Sequence, residues 1–329
     1  MVDLALKECA TSKPATRYMP GKLGTDRLFR SVSLTSAIAV LVMFAGIMVA
    51  LIYGAWPAIT AFGFSFLWTE IWNPVTQRFG AVAPIYGTLV TSLIAMLIAV
   101  PVGIGTAIFL TEICPRPLRR PIGIAVELLA GIPSIIYGIW GLFILAPFLQ
   151  TYVMPPVIDA FSYVPVLSDL FAGPPYGIGI FTAGLILAIM ILPFITAISR
   201  DVFLTVPAVL KEAAYGLGAT TWEVEYNVVL PYARGGVVGG IMLALGRALG
   251  ETMAVTFVIG NAHRISASLF APGTTISAAI ANEFTEAVGA LYAPSLVLLG
   301  LILFFVTVIV LGSAQYMLHR LEKRAGGRS

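Results

Sequence analysis

The run GIGIFTAGLILAIMILPFITAIS, residues 177–199, decides the fold class of this chain. It contains no Asp, Glu, Lys or Arg. About 20 apolar residues in a helix are enough to cross the hydrocarbon core of a bilayer, which is ~30 Å thick. Similar runs on both sides bring the predicted transmembrane helices to six, at 32–53, 86–111, 122–148, 177–199, 235–260 and 291–317. The sequence therefore predicts an all-α, polytopic membrane protein.

The composition of the whole chain agrees with this prediction. Of 329 residues, 59% are hydrophobic and 11% are charged, and the mean hydropathy is +0.96. A soluble domain carries about 25% charged residues, because charge covers its surface in water. A cytosolic enzyme, a disordered tail and a nucleic-acid binder are therefore excluded. Because about thirty hydrophilic residues precede the first apolar run, we expect that run to remain as an uncleaved anchor.

The positions of the basic residues predict the orientation in the membrane. Sixteen of the nineteen Lys and Arg residues lie in the N-terminal segment, in the second-to-third and fourth-to-fifth connections, and in the tail. Because basic residues concentrate on the cytoplasmic side, both termini are expected to be cytoplasmic, in a plasma (inner) membrane. The expected organisation is a cytoplasmic segment 1–31, a six-helix transmembrane domain 32–318 and a cytoplasmic tail 319–329.

The connections on the predicted outer side, 56–85, 149–176 and 262–290, are long and rich in aromatic residues or proline. Two interpretations remain open. Trp and Tyr are typical of the membrane interface, so these segments could pack at the level of the lipid headgroups. Alternatively, they form a docking platform for an external partner.

Sequence patterns for catalysis and cofactor binding are absent. There is no G-x-x-x-x-G-K-[ST] loop for a nucleoside triphosphate and no G-x-S-x-G or H-E-x-x-H pattern. The two histidines, His263 and His319, are far apart and lack metal-ligand spacing. The sequence predicts neither an enzyme nor a cofactor or metal site.

The fourth-to-fifth connection, 200–234, predicts a compact element under the membrane. Pro207 is a typical helix opener, good helix formers follow it, and Gly216 and Gly218 are stop signals. A second short helical segment is predicted at 221–229, ending at Leu230-Pro231.

This element also carries a family resemblance. Glu212-Ala213-Ala214, Gly218, Val228 and Leu230-Pro231 are spaced like the EAA loop of ABC importer permeases, E-A-A-x3-G-x9-I-x-L-P, with Val in place of Ile. The resemblance implies the MetI-like permease fold and a coupling helix that docks in a groove on a cytoplasmic ATPase subunit. In that role the small Ala213, Ala214 and Gly218 permit close approach, and Glu212 offers a salt bridge.

Three charged residues lie inside predicted spans: Glu127, Arg247 and Glu251. Each costs about 2.5–3.5 kcal/mol at a helix centre, so such residues are rarely incidental. Arg247 is expected near mid-bilayer. Glu251, four residues later, would share its helix face with a stripe of small residues. Two hypotheses stay open: a neutralising pair in a buried helix interface, or an anion path in which Arg247 binds the anion, Glu251 is its partner and Thr252 donates a hydroxyl.

The sequence around these charges narrows the family. GRALGETMAVTFVIGN at 246–261 and ELLAGIPSIIYGIWG at 127–141 resemble the PstC-type permeases of phosphate ABC importers. This resemblance implies passage of inorganic phosphate past Arg247 and Glu251 by alternating access. The implied partners are a second, PstA-like permease, a dimer of ATP-binding subunits and an extracytoplasmic phosphate-binding protein, besides membrane lipid, and no nucleic acid.

Glu127 has two possible roles. It is predicted to lie about one turn inside the cytoplasmic end of the third span, where a surface salt bridge with Arg119 or Arg120 is favoured over a gate. Gly131, Pro133 and Ser134 predict a kink in the same helix, at a possible gate.

Other functions stay open on the sequence alone. A sulfate or molybdate permease would share the loop and the architecture. A non-ABC secondary transporter would need no ATPase and often shows inverted repeats, which are not visible here. A membrane scaffold or signalling protein would bind an ATPase without transporting anything.

Overall fold

The computed structural model describes the chain from Leu23 to Gly326, with side chains at 27–164, 168–316 and 320. Most of the predicted cytoplasmic segment 1–31 and the end of the tail therefore lie outside the described residues. The chain divides into two units, 1–50 and 51–329. Helix α1 (Leu23–Phe62) begins in the first and ends in the second.

Regular structure in the described residues is helical, apart from one isolated antiparallel bridge between Asn73 and Arg78. After α1 the helices are α2 (Val82–Ile108), α3 (Arg116–Ala130), α4 (Ser134–Trp140), α5 (Ala146–Phe148), α6 (Met154–Phe161), α7 (Pro165–Leu170), α8 (Ile180–Leu204), α9 (Ala208–Gly216), α10 (Thr221–Val224), α11 (Leu230–Gly250), α12 (Met253–Thr256), α13 (Ile276–Glu283) and α14 (Tyr292–Gly326).

Short π-helical turns join several of these helices into longer rods. They lie at Phe109–Ile113, Gly141–Leu145, Leu149–Val153 and Glu225–Val229. Within the described residues, six helical segments are long and apolar enough to cross a membrane: Arg27–Leu67, Val82–Ile113, Ser134–Phe161, Ile180–Leu204, Thr221–Gly250 and Tyr292–Tyr316. The prediction of an all-α fold with six spans is confirmed.

The predicted bounds of the third span, 122–148, are wrong at both ends. Gly131 and Pro133 separate α3 from α4, and Pro133 has extended backbone angles (φ −55°, ψ 134°) as the residue before α4. The third span therefore begins at Ser134. It continues to Phe161 through residues predicted to form an outer connection. The helix accommodates Pro155 and Pro156 because the π turn Leu149–Val153 directly before α6 already interrupts the i to i−4 hydrogen-bond ladder that proline would break.

The core lies around α8, whose Ile186, Leu187 and Ile191 are inaccessible to solvent. Glycines on α8 and on the neighbouring α2 allow the two helices to pack closely. A Cβ atom on Gly184 would lie 2.7 Å from Ile94 Cγ2, and one on Gly103 would lie 2.9 Å from Ile195 Cγ2. In lipid, where burial of apolar surface gives little drive, such contacts hold helices together through van der Waals packing.

The predicted outer connection 262–290 is only partly a surface loop. Helix α13 lies within it, and Ile276, Ala278 and Ala279 are buried. This connection approaches α2 closely: a Cβ on Gly87 of α2 would lie 1.9 Å from the Thr274 carbonyl oxygen. Glycine at position 87 thus makes this backbone contact possible.

Candidate functional site

The fifth span is a broken helix. Helix α11 ends at Gly250, and Glu251 has extended backbone angles (φ −67°, ψ 131°). Four residues of helix follow in α12, and Glu251 Oε1 accepts a hydrogen bond from the Ala254 backbone N–H at 3.3 Å. The prediction of a continuous helix over 235–260 is wrong. Within a membrane, such a break is tolerated where the chain is buried in protein or lines a water-filled cavity.

The segment after this break enters the protein core. Ala254, Val255, Val258 and Ile259 are at most 1% exposed. Helix α4 approaches it closely, since a Cβ on Gly138 would lie 2.8 Å from the Phe257 ring. The broken part of the fifth span is therefore held between helices rather than exposed to lipid.

Arg247 lies in the last turn of α11, and its side chain is exposed. Among the described residues it makes no hydrogen bond and no ion pair. The neutralising pair with Glu251, one of the two hypotheses from the sequence, is not formed. Because Glu251 has left the helix, the i to i+4 geometry that would align the two side chains no longer applies.

The stripe of small residues on α11 packs against α8. A Cβ on Gly236 would lie 2.7 Å from Val202, and one on Gly240 would lie 2.6 Å from Ile198. Ala244 and Ala248 continue this buried face. Arg247 does not share the burial of this face, because its side chain points outside the contact.

Thr252 makes local hydrogen bonds at the break. Its hydroxyl donates to the Gly250 carbonyl at 3.3 Å. Its own carbonyl accepts from the backbone N–H of Thr256 at 3.0 Å and from the Thr256 hydroxyl at 2.7 Å. The structure thus brings Thr252 and Glu251 together at the break and places Arg247 one turn before it.

Glu127 forms an ion pair, but not with the predicted partners. Its Oε1 lies 2.5 Å from Nη2 of Arg200 on α8, which also binds Asp201 at 2.8 Å. Arg119 instead donates to the carbonyls of Cys114 (2.8 Å) and Glu112 (3.1 Å) at the end of the second span. The expectation of a salt bridge is right in kind and wrong in partner, because α3 packs on α8.

The predicted kink at Gly131, Pro133 and Ser134 is confirmed as a complete break between α3 and α4. The Tyr137 hydroxyl donates to the Leu129 carbonyl at 2.9 Å and so bridges the break. Gly138 of α4 lies against Ala254 and Phe257, which follow the break in the fifth span, so the two breaks are adjacent.

The predicted helix in the fourth-to-fifth connection is confirmed as α9. Pro207 precedes it with φ −58° and ψ 130°, and Gly218 after it has φ +86°, which favours glycine. The prediction that 221–229 ends at Leu230-Pro231 is wrong. The π turn Glu225–Val229 continues α10 into α11. Pro231 is accommodated two residues after this turn, which already interrupts the i to i−4 hydrogen-bond ladder.

Helix α9 and the segment that follows it expose apolar side chains. None of the α9 residues is buried, and Val209 on α9 is 72% exposed, while Leu217 and Trp222 after it are 91% and 69% exposed. We call the following set the coupling surface: Val209, Leu210, Tyr215, Leu217, Trp222 and Tyr226, all at least 41% exposed. Exposed apolar patches of this kind mark sites of protein contact. Glu212 and Ala213 are exposed beside it.

The other side of α9 is fixed to the spans. Lys211 Nζ lies 2.5 Å from Glu112 Oε1 at the end of the second span, with side chains 17% and 15% exposed. Ala214 packs against the cluster of Phe203 and Val224. Glu225 is 2% exposed, and neither of its carboxylate oxygens has a hydrogen-bond partner in the described residues.

A second buried polar cluster joins the first and last outer connections. Glu283 accepts hydrogen bonds from Trp72 Nε1 and the Tyr292 hydroxyl, both at 2.7 Å, and lies 2.6 Å from His263 Nε2. Trp72 and His263 stack at 4.8 Å. Burial alone would raise the pKa of the Glu283 carboxyl, but the hydrogen bonds from His263, Tyr292 and Trp72 outweigh it and lower the pKa.

Sequence reasoning missed Lys211, Glu112, Glu225 and the Glu283 cluster. The partners of these contacts are 99 residues apart for Lys211 and Glu112, and 211 apart for Trp72 and Glu283. No local pattern marks such pairs. The available signal was only that an ionisable residue next to an apolar run needs a partner.

The fold with its broken fifth span and exposed fourth-to-fifth helix is that of a permease component of an ABC importer. Residues 99–323 match the model of the family described as "Binding-protein-dependent transport system inner membrane component", so the chain belongs to it. A solved bacterial alginate ABC transporter shares the fold at a TM-score of 0.62 and 19% identity, covering 91% of this chain and 96% of that one.

Curated relatives define the family more narrowly. The chain is 69% identical to the "Phosphate transport system permease protein PstC" of Mesorhizobium japonicum, over 92% of each chain. It is 58% identical to the protein of that name from Pasteurella multocida, over 92% of this chain and 94% of that one. A "probable" PstC of Methanocaldococcus jannaschii is 40% identical over 86% and 90%. The chain belongs to the PstC family and is a multi-pass inner-membrane protein.

Proposed function

We propose that this chain is the permease subunit of an importer of inorganic phosphate that is driven by separate ATPase subunits. The names of its 69% and 58% identical relatives support the substrate. The observation that carries the proposal structurally is the unpaired guanidinium of Arg247 next to a break in the fifth span. A charge left unpaired inside a membrane protein is a candidate substrate site by default.

Arg247 is proposed to bind phosphate during its passage. Its planar guanidinium donates paired hydrogen bonds that match a tetrahedral oxyanion. Glu251 and Thr252 flank the path at the break. Glu251 offers an acceptor for a protonated phosphate oxygen, and Thr252 offers a hydroxyl that is now bonded to Gly250.

The coupling surface is proposed to dock on a cytoplasmic ATPase subunit, two copies of which would serve this chain and a second, PstA-like permease. Its apolar exposure supports this assignment, as does the match of Glu212, Ala213, Ala214 and Gly218 to the EAA pattern. Leu230 and Pro231 lie where the docking element continues into α11. Movement of α9 would thus reach the fifth span directly and drive alternating access.

The proposed orientation places this docking surface and both termini in the cytoplasm, in accord with the distribution of basic residues. Residues 32–318 would form the permease domain between the terminal segments 1–31 and 319–329. An extracytoplasmic phosphate-binding protein would meet the opposite end, where the Glu283 cluster fixes the connections. For Glu127 the ion pair with Arg200 favours a structural role, and the gate is proposed at the Pro133–Ser134 break.

The test is phosphate uptake by the reconstituted complete transporter carrying Arg247→Gln. We expect uptake to fall at least tenfold, as about 1.4 kcal/mol of lost charge-assisted bonding gives a factor of ten. Arg247→Lys keeps the charge but loses the fork, so it should retain part of the activity. Arg116→Gln is the matched control, because Arg116 is exposed on α3 without an ion pair in the described residues.

Unchanged uptake in Arg247→Gln, with assembly and ATP hydrolysis intact, would remove Arg247 from the path. Substrate identity needs a separate measurement. Sulfate or molybdate at an equal concentration should not reduce the uptake of labelled phosphate. Strong inhibition by either ion would favour a permease for another oxyanion. Uptake that persists without ATP and stops with a proton ionophore would favour a secondary transporter.

A further inference from the structure

A basic cleft lies between α3 and the last turn of α8, close to the point where the chain continues into α9. Its volume is about 440 Å³, and α3, α8 and the end of the second span form its walls. The charged lining consists of Arg119, Arg120 and Arg200 with a single carboxylate, Glu127, and Thr111 adds a hydroxyl. This cleft is distinct from the break in the fifth span, since Arg247, Glu251 and Thr252 do not line it.

The positive charges of the cleft are only partly compensated. Arg200 is neutralised by Glu127 at 2.5 Å and by Asp201 at 2.8 Å. Arg119 donates from Nε and Nη2 to two backbone carbonyls, which carry no net charge, and its Nη1 has no acceptor among the described residues. Arg120 is exposed and has neither a hydrogen bond nor an ion pair in the described residues. Two guanidinium groups thus face the cleft without a carboxylate.

The position of Arg200 depends on a glycine of the facing helix. A Cβ on Gly123 of α3 would lie 2.5 Å from Arg200 Nη1. Gly123 therefore lets the Arg200 guanidinium reach Glu127. The ion pair holds α3 against α8, so that Arg119 and Arg120 of α3 stay at the cleft.

Part of the remaining wall of the cleft is apolar and exposed. Ile124 and Leu204 line it and are 47% and 64% exposed. Helix α3 itself precedes the third span and is amphipathic, with Leu118 and Leu128 exposed at 49% and 69%. A helix that is basic on one face and apolar on the other lies in the membrane interface, at the level of lipid headgroups.

We propose that this cleft binds the phosphodiester headgroup of an anionic membrane lipid. Arg120 and Nη1 of Arg119 bind the phosphate oxygens, and the acyl chains run along Ile124 and Leu204. The shared chemistry is that of a phosphate oxyanion, which free inorganic phosphate also presents. The apolar wall favours the lipid, because it offers nothing to a small hydrated ion. Basic pockets between transmembrane helices are typical headgroup sites.

The site goes beyond the proposed transport function and does not depend on the substrate. By occupying the angle between α3 and α8, a bound lipid would stabilise the end of the fourth span from which α9 extends. The lipid is thus expected to support the position of the coupling surface, without taking part in passage of the substrate.

The experiment measures binding of phosphatidylglycerol to the complete transporter in nanodiscs. The discs contain phosphatidylcholine with increasing phosphatidylglycerol, and retained lipid is counted by native mass spectrometry. Arg120→Gln should weaken retention about tenfold, because it removes the charge-assisted hydrogen bonds to the phosphate oxygens. Arg116→Gln is the matched control, one turn away on the same helix and outside the cleft, and should bind as the unaltered protein does.

A second arm separates the two sources of phosphate. Labelled inorganic phosphate is added to discs of pure phosphatidylcholine, and millimolar phosphate is tested for displacement of phosphatidylglycerol. We expect that labelled inorganic phosphate shows no binding that depends on Arg120, and that millimolar phosphate does not displace phosphatidylglycerol. Equal lipid retention in the Arg120 and Arg116 variants overturns the site. Binding of free phosphate that is lost in Arg120→Gln overturns the lipid as its ligand.

Discussion

Replacement of Lys211 by Met should release α9 from the transmembrane helices. Lys211 is the cation between two carboxylates: it lies 2.5 Å from Glu112, and the buried Glu225 is within its electrostatic reach. The substitution keeps most of the side-chain volume and removes the charge. Glu112 and Glu225 would then face each other with no compensating cation at this position.

The size of the effect follows from the geometry. Two unit charges about 3 Å apart attract by about 5 kcal/mol at an effective dielectric constant of about 20. Part of this is offset by desolvation, and loss of one partner of a buried pair typically costs about 3–5 kcal/mol. Because both side chains keep some exposure, 17% and 15%, we expect the lower value, about 3 kcal/mol. That corresponds to roughly a hundredfold shift toward detached α9.

Hydrogen exchange on the complete transporter measures this shift without reference to transport. Backbone amides at 208–216 should lose roughly a hundredfold of protection in Lys211→Met, if local opening governs their exchange. In the same preparations the ratio of phosphate uptake to ATP hydrolysis should fall. Lys211→Arg keeps the charge and should keep most of the protection. Adding Glu112→Gln to Lys211→Met should restore part of it, since one stranded carboxylate is removed. Equal protection in the Met and Arg variants would refute the ion pair as the attachment.

Two further predictions concern the end of α9 and the Glu283 cluster. Gly218→Ala should destabilise the end of α9 by about 1 kcal/mol, because the backbone has φ +86° there. It should reduce phosphate uptake while ATP hydrolysis continues. Uptake and hydrolysis equal to those of the control Gly216→Ala would contradict this prediction. Glu283 has a lowered pKa, so its stabilising contribution is present above the ordinary value of 4.5 and is lost as the pH falls below it. The melting temperature of the complete transporter should therefore fall on acidification, and it should fall less in Glu283→Gln. If the unaltered protein and Glu283→Gln show the same dependence of melting temperature on pH, this carboxylate is not the cause.

The features that local sequence predicts well are those with a local cause. The six spans follow from apolar length, α9 follows from Pro207 and the two glycines after it, and the break before α4 follows from Gly131 and Pro133. In each case the residues that determine the backbone lie within the element itself. The predicted bounds were wrong at Pro155 and Pro231, where the helix continues through proline. Each of these prolines closely follows a π turn, which already interrupts the i to i−4 hydrogen-bond ladder that proline would break.

The break at Glu251 could not be predicted because it has no local signal. Residues 253–259 are apolar except for Thr256 and lack proline, so hydropathy continues the span through them. The break is held by tertiary contacts: Gly138 brings α4 against Phe257, and Val258 and Ile259 fill the core beside α8. The same holds for Glu127, whose partner Arg200 is 73 residues away. The sequence thus identifies candidate site residues by their chemical type, but it does not predict their geometry.

The difference between the charged groups of this chain argues for an external partner of Arg247. Glu127, Arg200, Lys211 and Glu112 are compensated by ion pairs within the chain. Arg247 has none in the described residues, although a lone charge at a helix centre costs about 2.5–3.5 kcal/mol. Its place in the last turn of α11 returns only about 0.3–1 kcal/mol through the helix dipole. The remainder has to come from water, from an anion or from a neighbouring subunit. A guanidinium kept unsatisfied by its own chain is what a transient oxyanion site requires, since a permanent internal carboxylate would compete with the substrate for it.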